Sequence, residues 1–309
     1  MPASSQQHGN EFDGRPARYE RAADLEGALR RLAEGGWTPL AGGTDFYPAR
    51  VGRAVSESLL DLSGLHALRG VEATGDGGAP AWRIGALTTW SDLARAPLDA
   101  SLAALQQAAR EVGGVQIQNQ ATVGGNLCNA SPAADGVPAL LALDAQVELA
   151  SVRGVRRLPV SGFVLGNRRT AMGPDELLTA VIVPRRSPRA VSRFLKLGHR
   201  RYLVISIVMA AVAVDFDDDA RVSHCGVAVG ACSSAALRLP AVERALLSAQ
   251  RTQLAERFAA LDHEAAFAPL APIDDVRGTA AYRRHAAVEL IRRIVAEVAE
   301  VADGAGGGR

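Results

Sequence analysis

The stretch from Gln116 to Asp144, QIQNQATVGGNLCNASPAADGVPALLALD, constrains this chain more than any other. Thr122-Val123-Gly124-Gly125-Asn126 sets two glycines side by side, so the backbone there can take positive φ and approach a bulky anion with no Cβ in the way. Asn129-Ala130-Ser131-Pro132-Ala133-Ala134-Asp135 adds small residues and one acid, and the apolar run Pro138 to Leu143 anchors the loop in a core. A second loop of the same character, Ala41-Gly42-Gly43-Thr44-Asp45, follows the short apolar run Trp37 to Leu40. Neither loop contains Lys or Arg. A phosphate held between them would therefore be held by clustered backbone N–H groups and hydroxyls, which suits a diphosphate better than a transferable γ-phosphate. The plainer reading is that each Gly-Gly only turns the chain after a strand.

The rest of the chain reads as mixed helix and strand. Asp24 caps a helix with Leu25, Ala28, Leu29 and Leu32 on one face, and Gly35-Gly36 ends it before the strand Trp37 to Ala41. Strand candidates follow at Ser58 to Leu62 and Leu68 to Glu72, with a hairpin through Gly75 to Gly78 into Ala81 to Leu87. Helices are expected through Trp90 and Leu93 and from Ser101 to Val112. Gln146 to Ser151 and Val155 to Val160 pair as a hairpin around Arg153-Gly154, and Leu177 to Val183 is a further strand. Arg185 to Arg189 reads as the boundary between two compositions. Beyond it come strand-like runs at Ser192 to Leu197, Val204 to Phe216 and Val222 to Ala231, then helical spacing at Leu239 to Gln250, Thr252 to Leu261 and Thr279 to Ala302.

Several function classes are set aside by what is missing. No GxGxxG and no GxxxxGK[ST] occurs, which argues against a Rossmann domain or P-loop. A net charge of +1 over 309 residues removes the electrostatic case for nucleic acid. No run reaches the ~18 apolar residues of a membrane helix, and the polar N-terminus MPASSQQHGNEFDG lacks a signal peptide's apolar core, so a cytoplasmic protein is expected. Cys128, Cys225 and Cys232 are too few and too spread for zinc or iron–sulfur ligation. No GxSxG elbow or HExxH pair is present, and His199 beside Arg200-Arg201 reads as a surface group. Redox chemistry would need an organic cofactor or a partner.

Taken in order and at their intervals, AGGTDFYP, ATVGGN, NASPAAD, PALLALDA, DELLTAVIVP and FLKLGHRR resemble the FAD-binding medium subunit of the molybdenum hydroxylases, the xanthine dehydrogenase and carbon monoxide dehydrogenase family. The resemblance implies an α+β protein: a flexible arm over 1–15, a FAD-binding domain of the PCMH or vanillyl-alcohol-oxidase type over 16–186, a C-terminal domain of three antiparallel strands with three helices over 190–302, and a tail over 303–309. It implies one FAD, held by Leu40, Ala41, Gly42, Gly43, Thr44, Asp45 and Phe46 and by Thr122, Gly124, Gly125, Asn126 and Asn129. Asp135, the backbone at Leu178, and Lys196 would approach the flavin, with Phe194 beside the isoalloxazine. Where many members carry histidine and serine after the first Gly-Gly, this chain has Thr44-Asp45, and an acid there is not an obvious aid to a diphosphate. The resemblance further implies a small subunit with [2Fe–2S] clusters and a large molybdopterin subunit, assembled as a dimer of heterotrimers, with electrons leaving to NAD or another acceptor. The rival within the same fold is a self-sufficient flavin oxidoreductase, whose covalent flavin link, if any, could only involve Cys128.

Overall fold

The computed structural model describes residues 17–300, apart from residues 77 and 202. The expected arm and tail lie outside the described residues.

Three strands begin the fold: β1 (Tyr19–Arg21), β2 (Trp37–Leu40) and β3 (Ser58–Asp61), all parallel, in the order β1-β3-β2. Helix α1 (Leu25–Glu34) joins the first two. Asp24 caps it by accepting from the Gly27 N–H, and Gly35, at φ +77°, ends it. Its buried face of Ala28, Leu29 and Leu32 packs with Trp37, Leu60 and Leu62 into a small core of its own.

The second sheet is antiparallel. β4 (Val71–Asp76) and β5 (Ala79–Gly85) form the hairpin expected at Gly75 to Gly78. Helices α2 (Trp90–Arg95), α3 (Ala103–Glu111), α4 (Val115–Gln120), α5 (Val123–Asn129) and α6 (Gly136–Ala142) then cross over before the chain returns as β6 (Gln146–Ser151) and β7 (Gly154–Pro159). After the short α7 (Val160–Phe163) and the ribbon β8 (Val164–Gly166) and β9 (Arg169–Thr170), β10 (Leu177–Pro184) inserts between β5 and β6, giving the order β4-β5-β10-β6-β7. A central strand flanked on both edges has to be apolar on both faces, and every residue from Leu177 to Val183 is buried.

The C-terminal sheet is antiparallel: β11 (Val191–Leu197), β12 (Val208–Phe216) and β13 (Val222–Gly230), with a fourth strand, β14 (Leu237–Arg238), that the sequence did not announce. Two residues are too few to carry an alternation pattern; β14 exists because Ala228 and Val229 leave an edge free to pair. β12 starts later than expected: Ser206 turns to the first half, its Oγ donating to Asp135 Oδ1 at 2.6 Å, before Ile207 N–H returns to Leu197 O of β11. Helices α8 (Pro240–Leu246), α9 (Leu254–Ala259), α10 (His263–Phe267) and α11 (Ala280–Glu300) cover this sheet, α10 being an addition to the expected three. Among the described residues no helix is long and apolar enough to cross a membrane.

The two halves are not beads on a linker. The largest apolar cluster contains Leu105, Leu140 and Val181 from the first half together with Phe194, Met209 and Ala228 from the second. Polar rivets cross the same seam. Arg238 reaches the Asp144 carboxylate at 2.6 Å and His224 Nε2 lies 2.5 Å from it, with Arg186 from the boundary segment also at 2.5 Å. The Ala231 N–H donates to Pro132 O at 3.0 Å, and the Phe194 N–H to Gln107 Oε1 at 2.8 Å. Burial, and then the Arg186 guanidinium, hold the His224 imidazole below its usual range.

Candidate functional site

β2 delivers the chain into the first glycine loop. A Cβ on Gly42 would lie 1.9 Å from the Gln120 carbonyl oxygen, so this residue is glycine because the loop is pressed backbone to backbone onto the end of α4. Gly43 is glycine for a second reason: it sits at φ +69° with the Tyr47 ring 2.8 Å from where a Cβ would be. Tyr47 N–H returns to Gly43 O at 3.1 Å and Ala49 N–H to Asp45 O at 3.2 Å, closing the turn. The N–H groups of Gly42, Gly43, Thr44, Asp45 and Phe46 have no protein acceptor among the described residues. Successive unoccupied N–H groups in a tight turn make an anion-binding concavity.

The second glycine pair works differently from the turn expected of it. Val123–Asn129 is the helix α5, with Thr122 as N-cap and no positive φ at Gly124 or Gly125. Its first amides are already occupied. Val123 donates to Thr88 O, Gly124 to Ala86 O and Gly125 to Thr122 Oγ1, at 3.0, 2.8 and 3.0 Å. Gly124 is required for closeness, since a Cβ would stand 2.8 Å from both the Cβ and the carbonyl of Ala86. The amide cradle is therefore confined to the first loop, and the start of α5 presents the bare backbone of Gly124 and Gly125.

Between them lies a cavity of about 500 Å³, within the usual range of small-molecule sites. Every residue from Leu40 to Phe46 lines it, as do Thr122, Gly124, Gly125, Asn126, Asn129 and Leu178. Two polar atoms of lining residues, Trp90 Nε1 and Asn126 Oδ1, are shut off from the open space of the cavity and have no hydrogen-bond partner among the described residues. Bare amides suited to a diphosphate, facing a wall with no Cβ at Gly124 and Gly125, fit FAD. Asp45 lines the cavity too.

Asp135, Phe194 and Lys196 do not line this cavity. Phe194 is 4% exposed and belongs to the shared apolar core. Lys196 Nζ lies 2.8 Å from Asp135 Oδ2 and 3.0 Å from Glu111 O, while Ser206 Oγ donates to Asp135 Oδ1 at 2.6 Å. With the two charged side chains only 5% and 8% exposed, this is a buried ion pair across the domain seam. Burial pushes the Asp135 carboxyl up against the opposing pull of Lys196. The cluster still bears on the cavity through the next residue: a Cβ on Gly136 would touch the Trp90 ring at 2.4 Å and Asn126 Oδ1 at 3.2 Å.

Trp90, Arg50, Arg168 and Met172 line the cavity without having been singled out by the sequence. Trp90 read as an ordinary helix residue; it is fully buried, with α2 packed on α3 and α4 and its ring against Gly136. Cys128 also lines the cavity, its Sγ 3.9 Å from Met172 Sδ, and burial pushes its thiol up to about 12. Burial likewise pushes Cys225 and Cys232 up to about 12. A thiol so shifted carries almost no thiolate at neutral pH. Iodoacetamide should thus leave all three cysteines of the native chain unmodified and label them after denaturation, as read by mass spectrometry; selective native labelling of Cys128 would contradict this.

Comparison with known proteins agrees with this geometry. Residues 11–186 match the family described as the FAD binding domain in molybdopterin dehydrogenase, and residues 193–298 match the CO dehydrogenase flavoprotein C-terminal domain. The chain is 31% identical over 292 residues to the putative xanthine dehydrogenase FAD-binding subunit of Escherichia coli (strain K12), covering 93% of this chain and 98% of that one. It is 30% identical over 288 residues to the nicotine 6-hydroxylase medium subunit of Paenarthrobacter nicotinovorans, covering 91% and 96%. Carbon monoxide dehydrogenase from Hydrogenophaga pseudoflava superposes with a TM-score of 0.80 at 27% identity, over 91% of this chain and 96% of that one. The enzyme from Oligotropha carboxidovorans gives 0.82 at 26% identity, over 93% and 98%. Similarity that runs nearly end to end in both sequence and fold, around a cavity suited to FAD, shows that this chain belongs to the FAD-binding medium subunits of the molybdenum hydroxylases, an oxidoreductase family.

Proposed function

We propose that this chain is the electron-transfer subunit of a cytoplasmic heteromeric molybdenum hydroxylase. The observation that carries the reading is the run of unoccupied N–H groups from Gly42 to Phe46 at the edge of a 500 Å³ cavity, in a chain of this family. Leu40 to Phe46 hold the diphosphate and ribityl chain of FAD. Thr122, Gly124, Gly125, Asn126 and Asn129 form the facing wall, and Leu178 contributes an edge. Asp135, Lys196 and Phe194 act from behind that wall, fixing β11 and the start of α6 so that Asn126 and Trp90 keep their places. The chemistry that FAD supplies when bound is acceptance of electrons from the [2Fe–2S] clusters of a small partner subunit and their delivery to NAD or another acceptor. A large molybdopterin subunit oxidises the organic substrate, and the three assemble as a dimer of heterotrimers. The relatives support this: one is named a medium subunit of a hydroxylase and another a medium chain of carbon monoxide dehydrogenase.

Expression with and without the neighbouring genes tests the proposal. The lone chain should retain one FAD, released by acid, and oxidise no purine, aldehyde or N-heterocycle; the assembly should bleach its flavin absorbance on addition of substrate. Turnover by the lone chain at the rate of the assembly would instead identify a self-sufficient flavoenzyme.

A further inference from the structure

Among the described residues, three charged side chains line the cavity: Asp45, Arg50 and Arg168. Arg50 is already committed. Its Nε lies 3.0 Å from Glu57 Oε1, its Nη1 donates to Phe46 O at 2.9 Å, and its guanidinium stacks 3.6 Å from the Phe46 ring centroid. Hydrogen bonding to Arg50 in turn holds the Glu57 carboxyl below the usual carboxylate range. Asp45 adds negative charge on the very loop that carries the bare amides. Arg168 differs from both. Its guanidinium donates to the neutral Asn129 Oδ1, and it has no carboxylate partner among the described residues.

Its position is also set in advance. Arg168 lies in the turn between β8 and β9 at φ +57°, a left-handed conformation that a non-glycine residue keeps only when its surroundings hold it there. Its backbone N–H donates to Ala130 O at 2.9 Å, and Ala130 is itself the left-handed C-cap of α5. Backbone and side chain are thus both tied to the end of α5, the helix that forms the cavity's methyl-free wall. A diphosphate brings about two negative charges, and bare amides beside an aspartate offset them only partly. A guanidinium fork matches phosphate oxygens and keeps its charge at any physiological pH.

We propose that Arg168 is the phosphate-recognising cation of this site, pairing with the diphosphate of the bound dinucleotide. The proposal rests on the cavity being the FAD site. Arg168→Asn removes the charge with little backbone strain, because Asn tolerates positive φ, and Arg168→Lys keeps the charge without the fork. Apo full-length chain would be titrated with FAD and riboflavin by fluorescence quenching, and with ADP by calorimetry, at low and moderate salt.

In Arg168→Asn the dissociation constants for FAD and ADP should each rise about tenfold, as expected for loss of one charge-assisted contact, while riboflavin binds as to the parent. The salt dependence of FAD binding should flatten, and Arg168→Lys should fall between. Unchanged FAD and ADP affinity in Arg168→Asn, or equal weakening of FAD and riboflavin, overturns the assignment. Failure of the parent chain itself to bind FAD would remove the reading of the cavity instead, so the two failures are distinguishable.

Discussion

Gly42→Ala should leave a chain that no longer retains FAD and unfolds at markedly lower denaturant. The added methyl would lie 1.9 Å from the Gln120 carbonyl oxygen and 2.7 Å from its carbonyl carbon, both backbone atoms that cannot rotate away. Either the first glycine loop lifts off α4 or α4 shifts, and each movement displaces the amides of Gly42 to Phe46. Overpacking typically costs ~1 to 3 kcal/mol, and a site where no side chain can yield falls at the upper end. Gly125→Ala is the control, because its methyl would meet only the Thr122 hydroxyl, at 2.9 Å. That variant should unfold near the parent's midpoint, so that any loss of FAD reports the cavity itself. Gly124 offers no such control, since substitution there strikes the Ala86 backbone. Urea unfolding followed by circular dichroism, with flavin content per chain, measures both effects; parent-like stability and flavin content in Gly42→Ala would show that the loop does not rest on α4.

Lys196→Met should destabilise the chain by ~3 to 5 kcal/mol, the usual consequence of removing one partner from a buried ion pair. Asp135 would be left 8% exposed with Ser206 as its remaining side-chain partner, and the carboxylate would have to stay charged in a dry seam or take up a proton. The sign with pH follows. Burial already raises the Asp135 carboxyl in the native chain, and losing the ammonium raises it further. Native protein then binds more protons than unfolded protein above the ordinary aspartate range, so the defect should be largest near neutral pH and shrink on mild acidification. Adding Asp135→Asn to Lys196→Met removes the buried charge and should recover much of the loss. A single variant as stable as the parent at neutral pH, or a defect that grows on acidification, would mean the pair is not buried as described. The flavin potential of the same variant is a separate readout: an unchanged potential is expected if Lys196 acts on the seam and not on the ring.

The chain's order of helices and strands was legible because local rules decide it. Asp24 and Gly35-Gly36 bracket α1 by capping, the turn at Gly75 to Gly78 makes its hairpin, and Leu177 to Val183 reads as a strand because a doubly flanked strand must be apolar throughout. The first glycine loop was also within reach of sequence, since the combination of Gly43 with small and polar neighbours points to a turn with bare amides. What the two glycine pairs do could not be read from composition. Gly43 is a positive-φ residue, whereas Gly42 and Gly124 answer to backbone atoms of Gln120 and Ala86, each far from its glycine in the chain. The same limit applies to charge. Lys196 and Arg168 are each one basic residue among many in sequence; the placement of β11 on the first half and the Ser206 contact enclose Lys196 with Asp135, while the β8–β9 turn holds Arg168 at the cavity. Capping, turns and apolar periodicity are properties of neighbouring residues and survive in the bare sequence. Closeness, burial and the pairing of charges depend on which distant segments meet, and only the packed tertiary structure decides that.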